Sequence, residues 1–155
     1  SGIVGTAVGM AMNGMRPVVE LQFDAFALPA FEQIVSHVAK IGNRTRGAVR
    51  MPLVIRIPFG GGIGGVEHHC DSSEAYYAHT PGLTVISPST PQDAYSMLRA
   101  AIASPDPVVF LEPNKLYWTK GEVDTSVTAE IGTARIAREG TDVTLLAYGA
   151  RVPAP

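Results

Sequence analysis

Side chains that bind metals or move protons are concentrated at residues 67–71 (EHHCD), and His79 follows nearby. Zinc requires three or four such ligands that converge on one point, whereas neighbours on an extended chain point to opposite sides. The spacing therefore disfavours a zinc site. A single histidine that transfers a proton or donates a hydrogen bond is the simpler interpretation. Geometry alone leaves His68 and His69 as equal candidates for that role.

A glycine-rich segment, PFGGGIGG at residues 58–65, precedes this cluster. Gly60, Gly62 and Gly65 match the G-x-G-x-x-G spacing of a dinucleotide-binding loop, which requires a helix to begin at the last glycine. The residues that follow are poor helix starters, so we discount dinucleotide binding. We expect the glycines to let the backbone approach another group closely; a mobile surface loop is the alternative.

Gln22 and Phe26 lie between a predicted strand and the long helix that follows it. In a parallel sheet the carboxyl ends of the strands form the ligand-binding edge. Gln22 is therefore a candidate hydrogen-bonding residue and Phe26 a candidate stacking surface. The alternative is that Phe26 belongs to the core and Gln22 to an ordinary loop. The chain carries no nucleophile elbow, P-loop or kinase motif.

Predicted helices and strands alternate along the chain. Helical spacing of small or apolar residues predicts helices at 2–13, at 31–41 and from Pro91 onward, where Thr90 and Pro91 form a helix start. Short apolar runs predict strands at 17–23, 53–57, 83–86, 108–111, 132–137 and 143–148. Apolar strands separated by helices predict an α/β fold, with a parallel sheet flanked by helices on both faces.

The composition narrows the function classes. The 155 residues are 46% hydrophobic and carry a formal charge of −2, so a disordered chain is excluded and nucleic acid is not an expected partner. The single cysteine, Cys70, cannot form an internal disulfide, which favours a reducing compartment. No stretch reads as a membrane span or a secretory signal, so we expect no membrane partner.

Five sequence blocks follow one another in an order typical of one enzyme family. They are residues 2–26 (GIVGTAVGMAMNGMRPVVELQFDAF), 29–40 (PAFEQIVSHVAK), 53–65 (LVIRIPFGGGIGG), 67–94 (EHHCDSSEAYYAHTPGLTVISPSTPQDA) and 107–117 (PVVFLEPNKLY). The chain resembles the beta subunit of the thiamine-diphosphate-dependent decarboxylase of 2-oxo acid dehydrogenase complexes, and the branched-chain type is somewhat closer than the pyruvate type. The resemblance implies a transketolase-type pyrimidine-binding domain over residues 1–155, without the family's N-terminal segment and C-terminal transketolase domain.

The resemblance also implies an activity and an assembly. Such enzymes decarboxylate a branched-chain 2-oxo acid or pyruvate and transfer the acyl group to a lipoyl group. Thiamine diphosphate lies between the alpha and beta subunits, and the alpha subunit holds its diphosphate and Mg²⁺ through a GDG…N motif that this chain lacks. The implied partners are the alpha subunit, a second beta subunit and the lipoyl acyltransferase core. The implied compartment is the bacterial cytoplasm, or the mitochondrial matrix in a eukaryote.

Three site residues follow from the resemblance. Gln22 matches a glutamine near the pyrimidine, Phe26 matches an aromatic residue (often tyrosine) that packs on the aminopyrimidine, and His69 matches the active-site histidine. The family's glutamate would immediately precede the residue that matches Ser1, so we expect this chain alone to be inactive.

The resemblance further implies a structural K⁺ that is bound mostly by main-chain oxygens. The matching positions are Met51, Val54, Ala101, Ser104 and Asp106. The alternative is that these residues simply end a strand and a helix.

Two other functions remain open. One is a non-catalytic subunit-assembly domain, in which Gly5 and Gly9, four residues apart on a helix, serve packing only. The other is a piece of a single-chain transketolase-like enzyme, in which the diphosphate-binding motif would lie elsewhere in the same polypeptide.

Overall fold

A parallel sheet of four strands forms the centre of the domain in the computed structural model, which describes residues 1–152. The strands are β1 (Val18–Glu20), β2 (Val54–Phe59), β3 (Thr84–Ile86) and β4 (Val108–Pro113), in the order β1-β2-β4-β3. The two central strands pair over six residues, from Val54 opposite Val108 to Phe59 opposite Pro113. The central strands are largely buried, which explains their continuous apolar sequence.

Helices and short turns connect the strands. The α-helices are α1 (Gly2–Met12), α2 (Ile41–Arg44), α3 (Glu74–Ala78) and α4 (Pro91–Ala103). A π-helical segment spans Gln33–Val38, and 3₁₀ turns span Asp24–Ala30, Glu67–His69, Asn114–Leu116 and Gly149–Arg151. None of the helices in residues 1–152 has the length and apolar character needed to cross a bilayer.

Both faces of the sheet are covered, as the sequence predicts. Alternate side chains of a strand point to opposite faces, so Ile55 packs with α1 and the π-helical segment while Val54 packs with Ala101 of α4. On β4, Leu111 joins the first cluster and Phe110 the second. The predicted α/β fold is therefore confirmed.

The start of α4 follows its sequence signal. The Thr90 hydroxyl accepts a hydrogen bond of 3.1 Å from the Asp93 backbone N–H, and Pro91 occupies the first helical position, where its missing N–H has no cost.

The helix predicted at 31–41 is wider than an α-helix. The Ala39 N–H donates to the Ile34 carbonyl at 3.0 Å, a bond that spans five residues. Ile34 and Val38 still face the core, because both kinds of helix bury the same apolar side chains over so short a stretch. The segment ends where the Ala39 carbonyl lies against Gly82, whose φ is +102° and where an added Cβ would come within 2.0 Å of that oxygen.

The strands predicted at 132–137 and 143–148 are wrong: neither segment pairs with another strand among the described residues. Ile136, Leu145 and Leu146 are 74%, 83% and 94% exposed. An alternating or apolar pattern favours a strand only where a neighbour completes the ladder of backbone hydrogen bonds. The described part of the chain places no such neighbour beside them.

Candidate functional site

Three aromatic rings pack together at the carboxyl edge of the sheet. The His69 ring stacks on Phe23 with a centroid distance of 4.4 Å and an interplanar angle of 12°. Phe26 lies 5.5 Å from the same imidazole at 52°, and 6.4 Å from Phe23. We call these three residues the aromatic cluster.

Two segments deliver the rings of the aromatic cluster. After β1, the Leu21 N–H bonds to the Arg56 carbonyl at 3.0 Å and the chain turns into the Asp24–Ala30 segment, which carries Phe26. After β2, the glycine-rich loop leads to the Glu67–His69 turn. Both segments begin at the carboxyl ends of parallel strands, and they therefore meet at one edge.

Two hydrogen bonds to Gly60 hold the base of the glycine-rich loop. The Gly60 N–H donates to the Asp71 carbonyl at 2.7 Å, and the Asn114 side-chain amide donates to the Gly60 carbonyl at 3.0 Å. Gly62 has a φ of +107° and lies against Lys115, where an added Cβ would be 3.2 Å from the lysine Cβ. Gly62 thus permits a close approach, whereas an added Cβ at Gly60, Gly61 or Gly64 would meet nothing within 4 Å. The loop leads into a 3₁₀ turn rather than the long helix of a dinucleotide-binding motif.

The aromatic cluster is partly open to solvent. Phe26 is 49% exposed and Gln22, next to Phe23 in the chain, is exposed as well. His69 is half-buried, and its Nδ1 is buried without a hydrogen-bond partner among residues 1–152. His68 instead points toward Glu67, at 3.5 Å, with more than half of its side chain exposed. The His68 ring also lies 4.3 Å from the His69 ring, so the two histidines, which the sequence pattern left equivalent, differ in burial and in the stacking of His69 on Phe23.

The metal-ligand types at residues 67–71 do not converge. No group of three or more histidine, cysteine or acidic side chains is arranged to hold a metal ion in the part of the chain that the structure describes.

Sequence reasoning missed a buried hydrogen bond beside the aromatic cluster. The Ser73 hydroxyl donates to Asp24 Oδ1 at 2.7 Å, and both residues are buried. Burial raises the pKa of the Asp24 carboxyl, against the effect of the serine bond. An acidic residue inside the otherwise apolar run FDAFA was the signal that could have found it.

A charged network also links the strand ends. Arg56 Nε donates to Glu112 at 2.6 Å and Arg56 Nη1 to Glu20 at 3.1 Å, which joins β2 to β4 and β1. The Tyr117 hydroxyl donates to the other Glu112 oxygen at 2.5 Å. Burial, followed by this bond to a carboxylate, raises the pKa of Tyr117. The network holds the three strands in register on the face opposite to α1.

The positions implied for K⁺ lie in two places: Met51 and Val54 just before and at the start of β2, and Ala101, Ser104 and Asp106 from the last turn of α4 to the segment before β4. The helix end carries partial negative charge, and carbonyl oxygens are ligands that suit a hard cation. A cation of the chain is already there: Arg16 Nη1 donates to the Ile102 and Ser104 carbonyls, each at 2.9 Å. The Asp106 carbonyl accepts from the Ser104 hydroxyl at 3.0 Å. The donor chemistry fits a cation, although Arg16 takes part of the space.

Residues 1–119 match the family described as the transketolase pyrimidine-binding domain. The chain belongs to this family. It is 57% identical to the pyruvate dehydrogenase E1 component subunit beta of Leifsonia xyli, over 99% of this chain and 46% of the relative. It is also 57% identical to the 3-methyl-2-oxobutanoate dehydrogenase subunit beta of Mycobacterium tuberculosis, over 96% and 43% of the two chains.

A solved structure titled as a split-gene transketolase, an inactive beta4 tetramer, has a TM-score of 0.73 to this pyrimidine-binding domain. At 20% identity, over 91% of this chain and 42% of that one, it supports the fold alone. The chain spans about half the length of the curated relatives it matches. The sequence resemblance is confirmed, and the equal identity to the two relatives does not separate pyruvate from branched-chain substrates.

Proposed function

We propose that this pyrimidine-binding domain supplies the wall for the aminopyrimidine ring of thiamine diphosphate in a 2-oxo acid decarboxylase. The observation that carries the proposal is the aromatic cluster, which joins Phe26 and His69 at the carboxyl edge of the sheet. Membership of the family and the names of the two similar relatives support it. Thiamine diphosphate, when bound, supplies the electron sink that decarboxylation of a 2-oxo acid requires.

The aromatic cluster and the nearby Gln22 suit a flat polar ring. The half-exposed face of Phe26 offers a stacking surface. Gln22 carries both a hydrogen-bond donor and an acceptor. The buried Nδ1 of His69 is a polar atom that lacks a partner within residues 1–152, and Phe23 stacks on the same ring. We assign Phe26 to ring stacking, Gln22 to hydrogen bonding, and His69 to substrate or acyl handling.

The rest of the assembly is part of the same proposal. An alpha subunit would hold the diphosphate and Mg²⁺, a second beta subunit would complete the decarboxylase, and the acyl group would pass to a lipoyl acyltransferase core. The compartment would be the bacterial cytoplasm or the mitochondrial matrix, and the substrate a branched-chain 2-oxo acid or pyruvate. The assignment of residues 1–155 to one domain stays a prediction, since the family match covers residues 1–119.

A structural K⁺ remains a separate proposal. Main-chain oxygens of Ala101, Ser104 and Asp106, and of Met51 and Val54 at the start of β2, would hold it beside Arg16. The test is thermal unfolding of the full-length protein in potassium chloride and in choline chloride at equal ionic strength. A higher melting temperature in potassium supports the ion; identical melting curves contradict it.

The function is tested on the full-length protein assembled with its alpha partner. Thiamine-diphosphate-dependent decarboxylation of pyruvate and of 3-methyl-2-oxobutanoate is measured for the wild type and for His69→Ala, Gln22→Ala and Phe26→Ala. Loss of a positioned group in the site is expected to lower kcat/KM by about 100-fold. His79→Ala, an exposed histidine in the same chain, serves as the matched control and is expected to retain activity.

The same experiment separates the alternatives. Unchanged activity of all three site variants with intact assembly would contradict the proposal and support a non-catalytic assembly domain. Wild-type activity without any alpha subunit would support a single-chain transketolase-like enzyme.

A further inference from the structure

The Asp24–Ser73 hydrogen bond connects the two segments that carry the aromatic cluster. Asp24 begins the turn that contains Phe26, and Ser73 precedes α3, four residues after His69. Asp24 is 3% and Ser73 5% exposed. The bond therefore joins residues 49 apart in sequence at a place that solvent does not reach.

Little else balances the Asp24 carboxylate. Its Oδ2 is buried without a hydrogen-bond partner in the described residues, and the nearby Asp71 and Glu74 are also acidic. A buried carboxylate with a single hydrogen bond is held at a cost in free energy. The Ser73 hydroxyl is thus the one hydrogen-bond donor to this side chain among the described residues.

The packing around the Asp24–Ser73 pair is incomplete on one side. A cavity of about 140 Å³ borders the pair and is lined by Asp24, Asp71, Ser73 and Tyr76 among others. Because packing is incomplete there, the hydrogen bond carries more of the orientation than it would in a filled core.

We propose that Asp24 is a positioning residue that sets the His69 ring against Phe23 and Phe26 by holding Ser73. The proposal rests on the proposed function in one respect, namely that these rings form the cofactor wall. Asp24 acts on the site through Ser73 and the loop that precedes it. Loss of the bond lets the His69 segment move away from Phe23, which uncovers the imidazole and misplaces it.

The test reads the geometry directly, on the full-length protein. Diethyl pyrocarbonate modification of each histidine is followed by mass spectrometry, with His37 and His79 as references within the same chain. Asp24→Ala and Ser73→Ala are expected to raise the modification rate of His69 severalfold and to leave the references unchanged. Asp24→Asn retains an acceptor for the serine and is expected to behave as the wild type.

A matched control comes from the opposite face of the sheet. Ser89 is another buried serine that donates to a buried aspartate, Asp93, and Ser89→Ala is expected to leave His69 modification unchanged. In the assembled enzyme Asp24→Ala is expected to lower kcat/KM by about tenfold, since small displacements of a site group cost that much or more, while Asp24→Asn restores it.

Unchanged His69 modification in folded Ser73→Ala and Asp24→Ala proteins would overturn the proposal. An equal increase in Ser89→Ala would overturn it as well, because it would show general loosening. Should Asp24→Ala fail to fold, Ser73→Ala decides alone. The positioning role and the proposed function can fail separately. If His69 modification increases in Asp24→Ala and Ser73→Ala but the wild type shows no thiamine-dependent activity, the positioning role is supported and the proposed function is rejected.

Discussion

Two buried serine–aspartate pairs lie on opposite faces of the sheet and differ in how they are satisfied. Ser73–Asp24 joins two loops at the carboxyl edge, whereas Ser89–Asp93 joins the residue before the N-cap of α4 to the first turn of that helix. Asp93 Oδ2 accepts from the Ser89 N–H at 3.2 Å, from the Ser89 hydroxyl, and from Arg135 at 3.2 Å. Asp24 accepts only from Ser73 among the described residues.

The two carboxyl pKa values move in opposite directions. Burial acts to raise the pKa of Asp93, but hydrogen bonds from Ser89 and Thr90 and the Arg135 charge outweigh it, so the pKa is lowered. For Asp24, burial prevails over the single serine bond and the pKa is raised. In both carboxyls burial is the largest single influence and acts to raise the pKa; the donors around Asp93 reverse its direction, whereas Asp24 has one donor and two acidic neighbours, Asp71 and Glu74. The helix-start pair is satisfied locally, and the pair at the candidate site is not.

The largest expected difference is in stability. Asp93→Ala leaves Ser89 and Arg135 without their acceptor and is expected to lower the free energy of unfolding by about 2–3 kcal/mol. Asp24→Ala removes one bond together with a poorly balanced charge, so its cost is expected to be about 1 kcal/mol. Urea unfolding of the full-length protein measures both. Equal destabilisation by the two variants would contradict the comparison.

The contributions of Asp24 and Asp93 to the free energy of unfolding are expected to change with pH in opposite directions. A raised pKa in the folded state means that Asp24 contributes stability below its ordinary value of 3.8, and that this contribution is lost as pH rises through the folded pKa. A lowered pKa means that Asp93 contributes stability above 3.8, which is lost as pH falls through the folded pKa. Relative to Asp24→Asn the wild type should therefore weaken as pH rises, and relative to Asp93→Asn it should strengthen. Parallel pH curves for the two variants, measured by urea unfolding, would refute the assignment.

The smallest expected effect is that of Arg135, which donates to Asp93 and Ser89 from a side chain that is 54% exposed. Solvent weakens such a pair, so Arg135→Ala is expected to cost about 0.5–1 kcal/mol, and less at high salt. Arg138→Ala, a nearby exposed arginine, is the control. A cost of Arg135→Ala that does not change between low and high salt would show that the charge is not what matters.

The sheet and the start of α4 were predictable because they depend on local signals. Apolar runs of strand length separated by helical spacing favour one architecture, and Thr90 with Pro91 defines a helix start through contacts within one turn. The π-helical turn at Gln33–Val38 was not predictable, since its apolar spacing also suits an α-helix. The segments at 132–137 and 143–148 have a strand pattern but no strand partner among the described residues. A local pattern does not depend on whether a neighbouring strand exists, so it could not predict this.

The candidate site, like the fold, was predictable from the sequence only in part. Family resemblance selected Gln22, Phe26 and His69, and the aromatic cluster now joins two of these with Phe23, while the roles of all three stay predictions. The sequence alone determined the fold class and the chemical types available at the carboxyl edge, because periodicity and residue type are local properties. Only the tertiary structure decided that His69 rather than His68 stacks on Phe23, and that Asp24 meets Ser73. Those contacts depend on where separate strands end in space, which no local pattern of residues encodes.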